Sequence, residues 1–269
     1  MVVQVQTDLV YATIAGYRPL ALDLYVDAEP QALCIWLHGG GWQRGSRRNG
    51  PGPPALDSRP LFHRMAQRGL AVVSVDYRLS REATHPAQLD DVVAAYRFVR
   101  GEGAPLGGSY LPLALWGTSA GAHLAGLAAL ASEVGDEIAA VASWSAPSDF
   151  TALAGDLEAI GEIPDVGPTS REAMLVGASA TEAPDLHRAA SPVAHVRPTA
   201  TAFSLVHGAD DRAVPPAQSE RYAAALAAAG VAVRTHFVEG ADHFYSTISA
   251  ERLCELVDET IDFIVEACR

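Results

Sequence analysis

Basic residues are scarce in this chain: 19 Lys+Arg stand against 32 Asp+Glu, for a net charge of −13. Such a chain repels phosphate backbones, so nucleic acid is not an expected partner. Cysteine is scarcer still, with only Cys34, Cys254 and Cys268. An odd number with no CxxC pair provides neither a disulfide framework nor a zinc site. Cys34 lies in the apolar run ALCIWL and reads as a buried thiol. The histidines lack HExxH spacing, so no metal is expected, and neither GxGxxG nor GxxxxGK[ST] occurs to cradle a nucleotide. No apolar run is long enough to span a bilayer. The opening MVVQVQTDLVYATIAGYRPL lacks the basic and apolar regions of a signal peptide. These absences predict a protein of a reducing, cytoplasmic compartment, with no membrane contact and no cofactor.

What is present is a rhythm. The 269 residues, 49% hydrophobic and 19% charged, suffice for one α/β domain over 1–269 with a sizeable core. LALDLYV (20–26) alternates apolar and polar positions, as a half-exposed strand does. ALCIWLH (32–38) and LAVVSVDY (70–77) are near-continuous apolar runs, the pattern of buried parallel strands. Runs at 111–117, 138–145, 202–208 and 231–238 add four more. Helical patterns lie between them at about 58–69, 88–100, 119–132, 217–229 and 248–266, with Gly69 and Gly230 as stops after two of them. Strands alternating with helices predict a mostly parallel sheet covered on both faces. Two stretches break the alternation. One is the Gly/Pro/Arg loop at 45–60. The other is an insertion at about 147–200, with helix near 151–160, a loop at 161–169 and more helix near 170–190. It reads as a lid over a site or as a surface elaboration.

Three motifs punctuate the strand ends. In LWGTSAGAHL, Ser119 stands between Gly117 and Gly121 where a strand gives way to a helix. This G-x-S-x-G is either a tight turn or a nucleophile pushed out at the carboxyl end of the sheet. HGGGW (38–42) follows ALCIWL. Its glycines leave backbone N–H groups unobstructed, as a flexible loop or as donors to an oxyanion. The candidate donors are Gly40 and Gly41, joined by Ala120. HGADDRAVP (207–215) and GADHF (240–244) each follow a late strand. They supply what a serine hydroxyl needs: a histidine base, His243, and a carboxylate to orient it, Asp211. The order Ser119, Asp211, His243 is that of nucleophile, acid and base in α/β hydrolases.

Taken together, HGGGW, VDYRLSREATHPAQLDD, WGTSAGAHLA, ASPVAHV, HGADDRAVP and GADHF resemble an α/β-hydrolase esterase/lipase group with the HGGG oxyanion motif. That group is the hormone-sensitive-lipase-like esterases, and the compact feruloyl/acetyl-xylan-esterase-like branch is the nearer match. The resemblance implies an eight-stranded, mostly parallel sheet with Ser119 on a nucleophile elbow. It further implies a carboxylesterase acting on small-molecule esters, and the short stretch before HGGGW, with no room for a large cap, points to short-chain acyl groups. Its pattern HGxxDxxVP falls on Asp211, leaving Asp210 to a turn. Ala122 departs from it, standing where a further glycine is common. Fewer than 40 residues precede His38, so the helical cap of the larger relatives is expected to be mostly missing. Trp42 either walls the substrate pocket or packs beneath the loop. Asp76, Tyr77 and Arg78 read as a structural network, and His38 and His207 as structural histidines. Two other functions remain open on the sequence: an amide hydrolase of the kynurenine formamidase type, and a non-catalytic binding protein on the hydrolase scaffold.

Overall fold

The computed structural model describes residues 2–101, 106 and 110–269. Eight strands form one sheet: β1 (Gln4–Ala12), β2 (Leu20–Val26), β3 (Ala32–Leu37), β4 (Leu70–Val75), β5 (Leu113–Thr118), β6 (Ile138–Trp144), β7 (Ala202–Gly208) and β8 (Val233–Val238). The order across the sheet is β1-β2-β4-β3-β5-β6-β7-β8. β2 pairs antiparallel with both β1 and β4, and every other pairing is parallel. Seven of these strands coincide with the apolar runs, give or take two residues. β1 has no such run, because it is a sheet edge whose residues are exposed or half-exposed, so no buried face imposes a pattern on it.

Burial on both faces explains the unbroken apolar runs in the middle of the sheet. Along β3, Leu33, Ile35 and Leu37 point to one core and Cys34 and Trp36 to the other. The first core receives α2 (Ala87–Arg100), α3 (Ala120–Ala131) and α7 (Ala217–Ala228). The second receives α1 (Arg59–Gln67) and α8 (Ala250–Ala267). Alanine dominates the buried length of α3. Its small side chain lets the helix axis lie close to β5 and β6, and its helix propensity is the highest available. On the opposite face the indoles of Trp36, Trp116 and Trp144 run across three adjacent strands, with ring centroids 5.5 and 5.6 Å apart.

Between β6 and β7 lie α4 (Leu153–Ala159), α5 (Arg171–Val176) and α6 (Pro184–Ala189), then a 3-10 turn at Pro192–His195. The helix expected near 170–190 takes the form of two short helices. Gly177 takes a left-handed conformation with φ +93° and ends α5, and Pro184 opens α6. Ser170 caps α5, accepting a hydrogen bond from the Ala173 amide at 3.2 Å.

The network around the DYR stretch is ionic. Arg47, from the 45–60 loop, bonds Asp23 on β2 at 2.8 Å and Asp76 after β4 at 2.6 Å, and it also pairs with Asp8 on β1. Arg78 grips Asp91 of α2 through two nitrogens, and the Tyr77 hydroxyl donates to the His38 carbonyl at 2.8 Å. Asp23 and Asp76 are only 3% and 6% exposed, so removing their shared cation leaves, among the described residues, Asp23 without a cation and Asp76 with only Arg18 at 3.8 Å. Arg47→Leu is expected to cost about 3–5 kcal/mol, measured as a lowered urea midpoint. A loss under about 1 kcal/mol, the value of an exposed pair, would contradict this.

Candidate active site

The loops that follow β3, β5, β7 and β8 meet at the carboxyl end of the parallel strands. Ser119 sits between β5 and α3 with φ +52° and ψ −117°, a region that a residue with a Cβ enters at a cost of about 1–3 kcal/mol. Its backbone is tied on both sides: its amide donates to the Trp144 carbonyl at 2.7 Å, and its carbonyl accepts from the His123 amide at 3.0 Å. The flanking glycines are required by contact. A Cβ on Gly121 would lie 2.0 Å from the Leu37 carbonyl oxygen, and one on Gly117 would lie 2.3 Å from the Gly121 carbonyl carbon.

The Ser119 hydroxyl makes no helix-capping bond and instead meets His243 Nε2 at 2.9 Å. His243 Nδ1 lies 2.6 Å from Asp211 Oδ2. Nδ1–H therefore donates to the carboxylate, and Nε2 is left to accept from the serine. Asp211 is anchored through its other oxygen, which accepts from the Ala213 and Val214 amides, both at 2.9 Å. A second buried histidine, His207, brings Nε2 to 2.8 Å from the Val214 carbonyl and 3.2 Å from Asp211 Oδ2, while its Nδ1 pairs with the Ser219 hydroxyl. A carbonyl only accepts, so Nε2 carries hydrogen. Burial raises the Asp211 carboxyl, but hydrogen bonds from His207 and His243 outweigh it and hold the group well below the usual carboxylate range. The neighbouring Asp210 is exposed and ties in through its amide, to the Ala241 carbonyl.

After β3, Gly40 and Gly41 take φ +121° and +59°. This left-handed turn is closed by the Gln43 amide donating to the Gly40 carbonyl at 3.2 Å. Among the described residues, the amides of Gly40, Gly41 and Ala120 find no acceptor. Ser119, His243 and these glycines line a cavity of about 500 Å³. Trp42 does not line it. The indole is 2% exposed and packs edge-on against His123 and Phe150, with centroids 5.0 and 5.5 Å away. Of its two readings, packing beneath the loop is what the structure shows. His38 is likewise structural, stacked on Tyr77 at 4.2 Å.

Among the wall residues that the sequence did not single out are Arg44, Asn49, Arg171 and Phe244. Position in the chain was the available signal for three of them. Arg44 closely follows the glycine turn, Asn49 lies in the Gly/Pro/Arg loop at 45–60, and Phe244 follows His243. Arg171 comes from the 147–200 insertion and has no such signal. A second, smaller cavity of about 160 Å³ lies behind Arg171 and shares Gln43 with the first. Among the described residues, no three His, Cys, Asp or Glu side chains gather as a metal site, and no helix is long and apolar enough to cross a membrane.

Comparison with known proteins assigns the family. Residues 22–226 match the BD-FAE family model. The chain belongs to the BD-FAE family. Its sheet order is that of an α/β-hydrolase fold. Among characterised sequences, this BD-FAE protein is 32% identical over 238 residues to the esterase LipQ of Mycobacterium tuberculosis, covering 86% of this chain and 54% of LipQ. It is 28% identical over 207 residues to the esterase LipC of the same organism, covering 74% of this chain and 49% of LipC. The chain thus spans about half the length of these relatives. Among solved structures, a truncated carbohydrate esterase from gut microbiota superposes with a TM-score of 0.81 at 24% identity, covering 98% of this chain and 96% of that one. The thermophilic esterase Est2 of Thermogutta terrifontis gives 0.71 at 24% identity, covering 97% and 92%.

Two fully buried histidines flank the site and generate a pH dependence. Burial lowers His38 to about 4 and His123 to about 3, from 6.5. Below pH 6.5 the unfolded chain protonates both while the folded chain does not, so stability is complete above that value and falls as the pH drops toward the folded values. At about pH 5 each histidine is expected to cost roughly 2 kcal/mol, seen as a lower urea midpoint than at neutral pH. His123→Gln is expected to flatten that decline, and a decline unchanged by the substitution would contradict the assignment to His123.

Proposed function

We propose that this chain is a serine carboxylesterase that hydrolyses short-chain acyl esters through Ser119, His243 and Asp211. The observation that carries the reading is the unbroken hydrogen-bond sequence from Asp211 through His243 to Ser119, ending in a cavity beside three amides that have no acceptor. The names of its relatives, an esterase LipQ and a probable carboxylic ester hydrolase LipM, support the same class.

In this mechanism His243 Nε2 takes the Ser119 proton as the oxygen attacks the ester carbonyl. The amides of Gly40, Gly41 and Ala120 hold the resulting oxyanion, each contributing about 3–4 kcal/mol in the transition state. His243 then protonates the leaving alcohol, and water releases the acid from the acyl-enzyme by the reverse transfers. Asp211 stabilises the imidazolium that forms at each step. Only ester and water are consumed. Residues 147–200 serve as the cover over this site, within a single α/β-hydrolase domain. The setting is cytoplasmic, consistent with three free thiols. The cavity wall favours short acyl groups: Pro54 and Phe244 are its main apolar side chains, among glycines and polar residues. A longer chain therefore gains little of the roughly 0.8 kcal/mol per buried methylene that an apolar tunnel provides.

Hydrolysis of p-nitrophenyl acetate, butyrate, octanoate and decanoate tests the proposal. The rate is expected to fall with chain length. Ser119→Ala is expected to lower kcat about 10⁴-fold or more, and Asp211→Asn by about 10³–10⁴-fold, while Asp210→Asn stays near the parent. Turnover surviving in Ser119→Ala would end the serine mechanism.

A further inference from the structure

The charge of the cavity is opposite to that of the molecule around it. The chain carries −13 overall, yet among the described residues no Asp or Glu lines the cavity at Ser119, whereas Arg44 and Arg171 both do. Several half-buried arginines elsewhere in the fold are matched with acids: Arg47 with Asp23 and Asp76, Arg78 with Asp91, Arg221 with Asp156. Arg44 has no acidic partner among the described residues, and the ion-pair contact of Arg171 is Glu172 at 4.0 Å. Two solvent-reaching arginines thus line one cavity whose described lining holds no counter-charge.

Both stems are seated on the oxyanion turn itself. A Cβ on Gly40 would lie 2.1 Å from the Arg44 carbonyl oxygen and 3.2 Å from its Cγ, and one on Gly41 would lie 2.8 Å from Arg171 Cδ. The glycines at 40 and 41 therefore do two things: they free their amides, and they make room for the backbone and stem of Arg44 and for the stem of Arg171. The arginines come from different segments, Arg44 from the stretch after β3 and Arg171 from the first turn of α5. Asn49 and Gln43 add neutral polar groups to the same wall, and acids appear only beyond Arg171, where Asp165 and Glu172 line the smaller cavity.

We infer that the site selects esters bearing a carboxylate on the part that does not react, held by Arg44 and Arg171 while the scissile carbonyl occupies the oxyanion turn. A planar guanidinium pairs bidentately with a carboxylate. A cationic cavity in an acidic molecule also concentrates such a substrate locally. The inference rests on the esterase reading above and narrows its substrate class to acidic half-esters or esters of hydroxy acids.

The test compares kcat/KM for two matched pairs: ethyl hydrogen glutarate against ethyl hexanoate, with the charge on the acyl side, and 3-acetoxypropanoate against butyl acetate, with the charge on the alcohol side. One charged member is expected to be favoured about tenfold or more, and which pair shows it reports the orientation. In Arg44→Gln/Arg171→Gln the ratio is expected to collapse toward unity, mainly through KM. For the parent protein, ~1 M sodium chloride, with a screening length of about 3 Å, is expected to compress the same ratio without any substitution. Neutral esters hydrolysed as well as or better than charged ones, or a preference insensitive to both salt and the double substitution, would overturn the inference and leave the esterase reading standing. Hydrolysis of none of the four, with Ser119 unlabelled by a fluorophosphonate, would remove both.

Discussion

The contact of Gly121 with the carbonyl of Leu37 is the constraint on which the site depends. It presses the start of α3 against the end of β3, with no room for even one methyl group. Because of it the serine turn and the glycine turn, which lie some eighty residues apart in the chain, share one corner of the molecule. The same closeness recurs one step on, where a Cβ at Gly39 would meet the Thr118 carbonyl at 3.2 Å and the Ser119 Cβ at 3.6 Å. The strain at Ser119 follows from this approach. A relaxed turn would swing the hydroxyl away from the amides, so the unfavourable φ is maintained by the packing of glycine backbone on both sides.

Charge is handled in the same economical manner around His243. Asp211 uses one oxygen for two amides and the other for two imidazoles. A carboxylate with every direction occupied neither rotates nor readily accepts a proton, so it offers His243 a fixed counter-charge. His207 completes this arrangement without touching the serine.

Much of this was legible in the sequence, and the boundary has physical causes. Parallel strands buried on both faces produce long apolar runs, so β3 to β7 announced themselves. β1 did not, because an edge strand is under no such demand. The Ser119, Asp211 and His243 motifs were readable because each must sit directly after a strand, which fixes local spacing. The choice of Asp211 over Asp210 came from resemblance, and the structure supplies its reason: one carboxylate is buried against His243 while its neighbour faces solvent. Trp42 illustrates the limit. Adjacency to the glycine turn left two directions open to its side chain, and a positive φ of 57° turns the indole inward against His123. Arg171 was beyond reach, since only folding brings α5 to the turn after β3.

The Arg47 cluster has a consequence for the shape of the cavity. Residues 45–54, which form much of one wall, are secured by a guanidinium whose partners lie on β1, β2 and the turn after β4. The opposite wall at Arg171 belongs to a helix of six residues. The two sides of the cavity are therefore unequally anchored. One is braced to the outermost strands of the sheet and the other is carried by a short helix. Asp8, at the rim of the sheet and far along the chain from Ser119, is thereby mechanically connected to the cavity wall through a single side chain.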